Sequence, residues 1–173
     1  TPHELQVRRI GRNELAANQT VLAVTDAQEE FYQANPDGLP VKHFAMRALS
    51  TPGKRDGLYW PSAPGVPDSP LGPAFADARR GQAYHGYRYK VLTEQGKNAP
   101  GGAKSYVRNG LMTEGFALVA WPEHYGDSGV MTFIVNRDGQ VHQKNLGRNS
   151  DAAARRMKAY DPDPSWEKVE PPK

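Results

Sequence analysis

A chain of 173 residues can bury one sizeable core, but only 38% of the residues are apolar, so the core is modest and the surface loops are long. The net charge of +3, from 22 basic and 19 acidic side chains, does not by itself argue for nucleic acid. The absence of cysteine excludes a disulfide framework, a thiolate metal site and a Cys nucleophile, and no apolar run approaches the ~20 residues that span a bilayer.

In chain order, Thr1-Pro2-His3 opens without Met or a signal peptide and reads as a processed or cut form of a longer product. Arg8, Arg9 and Arg12 form a basic collar that reads as a solvated face. A helix is expected from Gly11 to Asn35, with Asn13 as its cap and Glu14 in its first turn. Ala17, Val21, Val24, Gln28 and Phe31 recur at helical spacing, with Leu15 and Leu22 on a flanking line. Asn35-Pro36-Asp37-Gly38 stops it. Val41 to Ser50 reads as a second, short helix ended by Thr51-Pro52-Gly53. The irregular segment that follows has Leu58, Tyr59 and Trp60 as its anchors. Ser69 and Pro70 open an expected third helix that Gly81 closes, with Phe75 and Ala78 facing inward.

Four strand-like runs come next. Tyr87, Tyr89 and Val91 alternate with Arg88 and Lys90, the pattern of an edge strand with one wet face. Phe116–Trp121 and Val130–Val135 are apolar on both faces and belong in the centre of a sheet covered on both sides. Asn136-Arg137-Asp138-Gly139 makes a hairpin turn, and Val141–Lys144 returns as a more polar strand. Ser150 caps a last helix with Asp151 in its first turn, and Met157 and Tyr160 are its core contacts. Residues 162–173 form a Pro-rich tail with Trp166 as its one aromatic anchor.

Helices segregated from consecutive strands predict a single α+β domain over residues 1–173. In it a long N-terminal helix packs on a four-stranded antiparallel meander, with short extra helices and long Gly/Pro-rich loops. The loop segment and the last helix are expected on the opposite face of the sheet.

Several residue groups carry possible chemistry. Gly126-Asp127-Ser128-Gly129 spells the nucleophile tetrapeptide of trypsin-like serine proteases, for which Ser128 needs a His base oriented by an Asp. The competing reading is a tight turn between two central strands. His85, His124 and His142 flank the sheet with Asp127 close to His124, a set able to form an acid–base pair or metal site if it converges. Alternatively, His85 makes a buried hydrogen bond that fixes the loop before Gly86. Tyr-Arg-Tyr-Lys at 87–90 interleaves aromatic and basic residues, but alternation separates them onto two faces, the ordinary amphipathic pattern rather than a nucleic-acid platform. Ala99-Pro100-Gly101-Gly102 is a candidate anion cradle with Lys104 and Arg108 nearby, without the ending of a P-loop. Lys54, Arg55, Tyr59 and Trp60, together with Lys104 and Arg108, form the candidate binding surface, suited to glycans, peptides or a partner protein.

The motifs RRIGRNEL (Arg8–Leu15), STPGKRDGLYWP (Ser50–Pro61), SPLGP (Ser69–Pro73), HGYRYKVLTEQG (His85–Gly96), the long run Ala99–Gly139 and KNLG (Lys144–Gly147) resemble the bacterial domain-of-unknown-function family 2950. The resemblance implies an exported protein of a Gram-negative bacterium, periplasmic or secreted, with no assigned activity and an additional amino-terminal region. More distantly, the chain is similar to the globular heads of type IV pilins and pseudopilins, which have a long helix, an aromatic-Ala segment and a meander ending in a turn with Asp-Gly. Phe44-Ala45 and Asp138-Gly139 stand in the comparable places, while the apolar helix start and the Cys pair of pilins are absent. The resulting expectation is a non-catalytic envelope or secreted binding module, with no cofactor and no nucleic acid. Its partner would be an envelope protein, peptide or glycan. The alternative is a hydrolase or metal-dependent enzyme using His85, His124 and Asp127.

Overall fold

Helix α1 runs from Pro2 to Ala34 in the computed structural model, which describes residues 1–73, 75 and 83–170. It begins well before the expected Gly11. Thr1 is the cap: its hydroxyl accepts from the Glu4 amide at 3.2 Å, and Pro2 at the first helical position has no N–H to satisfy. Asn13, expected as the cap, lies inside the helix. A mid-helix glycine such as Gly11 costs about 1 kcal/mol against Ala, a penalty that capping and a docked face can offset. Asn35 ends the helix in the left-handed conformation, its N–H returning to the Phe31 carbonyl at 2.9 Å.

The main sheet has five strands, one more than expected. They are β1 (Tyr87–Leu92), β6 (Ala117–Pro122), β7 (Thr132–Asn136), β8 (His142–Lys144) and β10 (Glu167–Lys168), in that spatial order and all antiparallel. The first four fall on the predicted strand runs, but the expected four-stranded meander is not what forms: an insert separates the first two along the chain and a fifth strand joins the sheet. The fifth comes from the Pro-rich tail, where Lys168 lies opposite His142 and Trp166 packs under the Lys144 ammonium. β1 is an edge strand, and β6 and β7 are buried along their whole length.

Alternation divides β6 and β7 between two cores. Leu118, Ala120, Phe133 and Val135 face α1, where Ala17, Val21, Val24 and Phe31 are buried. Val119, Trp121 and Ile134 face the other way, against Tyr106, Met112, Phe116 and Tyr160. The second face is covered chiefly by the insert between β1 and β6. That insert folds into β2 (Glu94–Gln95), β3 (Lys104–Ser105), β4 (Val107–Arg108) and β5 (Leu111–Met112). Helix α2 (Ser150–Arg156) and β9 (Ala159–Tyr160) complete the cover. The irregular segment goes instead to the α1 side, where Leu58, Trp60, Leu71 and Phe75 are buried. Ser150 does not cap α2 but lies within it, its hydroxyl donating to the Gly147 carbonyl. The Lys90 ammonium closes the other end of α2, donating to the carbonyls of Arg155 at 2.7 Å and Met157 at 2.6 Å.

Residues 41–50 contain no helix. Their backbone groups are claimed from outside. The Gln28 amide, 1% exposed, donates to the Ala45 carbonyl and accepts from the Ala45 N–H, both at 2.8 Å. The Phe44 N–H goes to Met112 O at 2.8 Å, and Tyr59 N–H to Ala48 O at 2.8 Å. A helix here would require those same groups for itself. Most of the helix expected from Ser69 to Gly81 lies outside the described residues; Phe75 is described and is buried.

Two consequences are measurable. Gln28→Leu strands both Ala45 backbone groups in a buried site and is expected to destabilise the fold by about 3 kcal/mol. Urea denaturation reads this, and an unchanged midpoint would remove the role assigned to Gln28. Burial pushes the His142 imidazole below its ordinary pKa, reinforced by Lys168 and only partly offset by the Gln140 backbone. On acidification the unfolded chain therefore binds this proton first, near its ordinary value of about 6.5, so stability is lost as pH falls below that point. His142→Gln should flatten the fall in stability between about pH 7 and pH 5; parallel curves for the two proteins would contradict this.

Candidate functional site

The Gly126–Gly129 tetrapeptide is a turn held by helix α1. Asp127 and Ser128 N–H both donate to His124 O, at 3.0 and 2.9 Å, and Gly126 N–H donates to Gly129 O at 2.8 Å. The Ser128 hydroxyl oxygen accepts from His124 N–H at 3.0 Å. From α1, Gln6 Nε2 donates to Gly126 O at 2.7 Å and Asn13 Nδ2 to Ser128 O at 2.9 Å. Between them the Arg9 guanidinium pairs with the Asp127 carboxylate and reaches its carbonyl at 3.4 Å. Positions 6, 9 and 13 share one helical face, so three residues about one turn apart on α1 meet three successive residues of the turn. Gly129 is required by contact: a Cβ there would stand 2.4 Å from the Tyr87 hydroxyl, which donates to Met131 O at 2.6 Å.

The predicted chemical residues gather at this end of the sheet without forming a site. His85 and Gly86, with φ of 52° and 76°, form the two-residue turn between Tyr84 and Tyr87, which exchange hydrogen bonds at 2.8 and 3.1 Å. His85 is exposed, so the buried hydrogen bond expected of it is not made. The His124 side chain is 69% exposed and stands 4.0 Å from Glu123. The Asp127 carboxylate is taken by Arg9. Glu123 N–H bonds Gly86 O at 2.9 Å, which brings the two turns side by side. Among the described residues, however, no hydrogen bond joins the side chains of His85, His124, Asp127 and Ser128. His142 lies on β8, paired with Ile134 and Lys168. No group of three or more His, Asp or Glu among the described residues is placed to hold a metal ion.

The Ala99–Gly102 loop is filled from within. Gln95 Nε2 donates to Pro100 O at 2.8 Å and Gly102 O at 2.7 Å, and its oxygen accepts the Tyr106 hydroxyl at 3.0 Å. Carbonyls point inward, opposite to what an anion requires.

A groove forms along residues 36–61. One cavity of 430 Å³ is lined by Asp37, Leu39, His43, Met46 and Arg47, with Leu111 of β5 as the far wall. The adjoining cavity of 410 Å³ is lined by Pro36, Lys54 and Arg55 and shares Asp37 and Asp56 with the first. A third, of 400 Å³, continues past Lys54 to Tyr59 and Pro61. Lys54, Arg55 and Tyr59 of the predicted surface therefore line one groove, and Arg108, opposite Leu111 in the β4–β5 ladder, stands beside it. Trp60 does not belong to the surface: it is 6% exposed, and its indole N–H donates to Pro67 O at 2.8 Å. Lys104 is exposed on β3 and lines none of these three cavities.

The acids of the groove are internally engaged. Asp37 Oδ2 lies 2.7 Å from His43 Nε2, and His43 Nδ1 lies 3.1 Å from Phe44 O. Asp56 accepts from the Thr51 N–H and hydroxyl, both at 2.7 Å. Burial opposes ionisation of Asp56, but those two bonds and nearby Arg47 hold its carboxyl below the usual carboxylate range. Lys54 and Arg55, by contrast, form no ion pair among the described residues. Leu39, Val41 and Met46, 38%, 52% and 45% exposed, account for the large apolar side chains left in water on this segment. The Asp37–His43 pair went unseen in the sequence because a helix was expected over Val41–Ser50. The available signal was Asn-Pro-Asp-Gly, a turn able to fold Asp37 back onto the segment that follows.

Asn13→Ala deletes the donor to Ser128 O and is expected to lower stability by about 1 kcal/mol. It should also raise amide hydrogen exchange across residues 126–129. Exchange identical to that of the parent protein would mean that the turn holds without the helix.

A family model described as a protein of unknown function, DUF2950, matches residues 1–169. No curated protein and no solved structure matches the chain.

Proposed function

The chain belongs to the DUF2950 family, and we propose that it is a non-catalytic envelope or secreted module that binds an acidic, extended peptide segment of a partner protein in the groove of residues 36–61. One observation carries this reading. Leu39 and Met46 stay exposed in the lining of adjoining cavities whose carboxylates are already engaged, while Lys54 and Arg55, which line one of them, form no ion pair among the described residues. Exposed apolar groups rimmed by uncommitted cations suit a ligand that alternates apolar and acidic side chains, as an extended strand does. The periplasmic or secreted location rests on the motif resemblance. No helix among the described residues is long and apolar enough to cross a membrane.

The pilin-head likeness enters the same reading. Its support is that Phe44-Ala45 is bonded to α1 through Gln28, and that Arg137, in the turn with Asp138-Gly139, stacks over Phe44 at 5.1 Å. The acid–base reading of His85, His124 and Asp127 has no comparable contact in its favour.

Fluorescence anisotropy tests the groove. The probe is a labelled ten-residue peptide alternating Glu with Leu, and its control carries Lys for Glu. The Glu peptide should bind, the Lys peptide should not, and K54E/R55E or Met46→Ser should weaken binding about tenfold, a loss of about 1.4 kcal/mol. Equal binding of both peptides, or indifference to K54E/R55E in a variant with unchanged circular dichroism, would end the proposal.

A further inference from the structure

The other exposed large apolar side chains among the described residues are all on α1: Leu5 at 66%, Val7 at 54% and Leu15 at 51%. Ala17 is the first buried residue of this helix, so its amino-terminal half contributes nothing fully buried to the core. It is nonetheless fixed, because Gln6, Arg9 and Asn13 grip the turn at 126–128. At about 100° per residue, Leu5, Arg8, Arg12 and Leu15 fall within an arc of about 80° on the side away from Ala17. Arg8 and Arg12 are exposed and make no hydrogen bond or ion pair among the described residues. Leu5 and Leu15 are ten residues apart, about 15 Å along the axis, with the two guanidinium groups between them. Arg9, on the gripping side, has its charge met by Asp127.

We propose that this outward face is an interaction surface for an acidic amphipathic helix of a partner protein. Carboxylates one turn apart on the partner meet Arg8 and Arg12, and apolar side chains on either side of them pack on Leu5 and Leu15. Arginine suits the role because its planar fork binds a carboxylate through two parallel hydrogen bonds. The clamp on the flanking side presents the surface already ordered, which lowers the entropy cost of docking. A second copy of this chain does not fit: antiparallel pairing brings arginines together at the centre, and the face carries no acid to meet them. A bilayer surface does not fit either, because a helix lying in a membrane needs a continuous apolar face, and here two arginines interrupt it.

The proposal is independent of the groove, and its test separates the two. The probe is a labelled 18-residue helical peptide with Glu and Leu on one face, compared with its Glu→Lys counterpart by fluorescence anisotropy. The Glu peptide should bind saturably. Binding should weaken at least tenfold with R8E/R12E and with L5S/L15S, and stay unchanged with K54E/R55E. The Lys peptide should bind R8E/R12E in preference to the parent protein. Because these side chains are exposed, circular dichroism of each variant should match the parent. Absence of saturable binding, equal binding of both peptides, or dependence on Lys54 and Arg55 instead would overturn the proposal. So would retention on phosphatidylglycerol vesicles that R8E/R12E abolishes in a protein that fails to bind the peptide.

Discussion

The Gln28 side chain, buried against Ala45, is the contact around which the rest of this structure is arranged. An amide that donates and accepts on one backbone residue acts as a short piece of β-ladder grown from a helix. It turns the chain after α1 back along that helix in extended form. That places Phe44 against β5 and Phe116, and lets residues 47–50 meet Leu58 and Tyr59. Arg137 completes the junction from the sheet side, lying over Phe44 and Tyr32 while paired with Glu29 at 2.7 Å. One polar side chain on an otherwise apolar helical stripe thus links the helix, the crossing segment and the central hairpin. Its cost if unpaired is what makes the arrangement specific.

Two features that look chemical in the sequence are structural for the same reason: their polar groups are met by backbone or by charge. The Ser128 hydroxyl belongs to a turn, and Asp127 belongs to Arg9. The carbonyls of Pro100 and Gly102 in the Ala99–Gly102 loop turn inward to the Gln95 amide. What remains uncommitted lies elsewhere, on two surfaces with the same composition. Exposed aliphatic side chains beside free cations occur at the groove of residues 36–61 and on the outer face of α1. In both places the local acids are engaged internally or absent, and on that feature the two proposals of an acidic partner rest. Tyr87, Tyr89 and Tyr106, meanwhile, belong to the interior, where burial drives their hydroxyls well above their ordinary range.

Periodicity in the chain by itself determined the α+β class, the edge position of β1, the central places of β6 and β7, the turn at Asn136–Gly139 and the buried stripe of α1. Each follows from local side-chain alternation or spacing, which burial on one or two faces enforces directly. Lys54, Arg55 and Tyr59 line the groove of residues 36–61, a peripheral placement that a Gly/Pro-rich stretch already favoured. Tertiary structure alone decided the rest. Val41–Ser50 has helical spacing, yet partners remote in sequence, Gln28, Met112 and Tyr59, take its backbone groups and hold it extended. Trp60 entered the core because Pro67 offers its indole a carbonyl, and the tail became a strand because β8 presented a free edge. Asp37 and His43 met across a turn whose direction no local pattern specifies. In each case the deciding contact joins residues far apart or across a bend, and local spacing is silent on what the folded chain brings opposite.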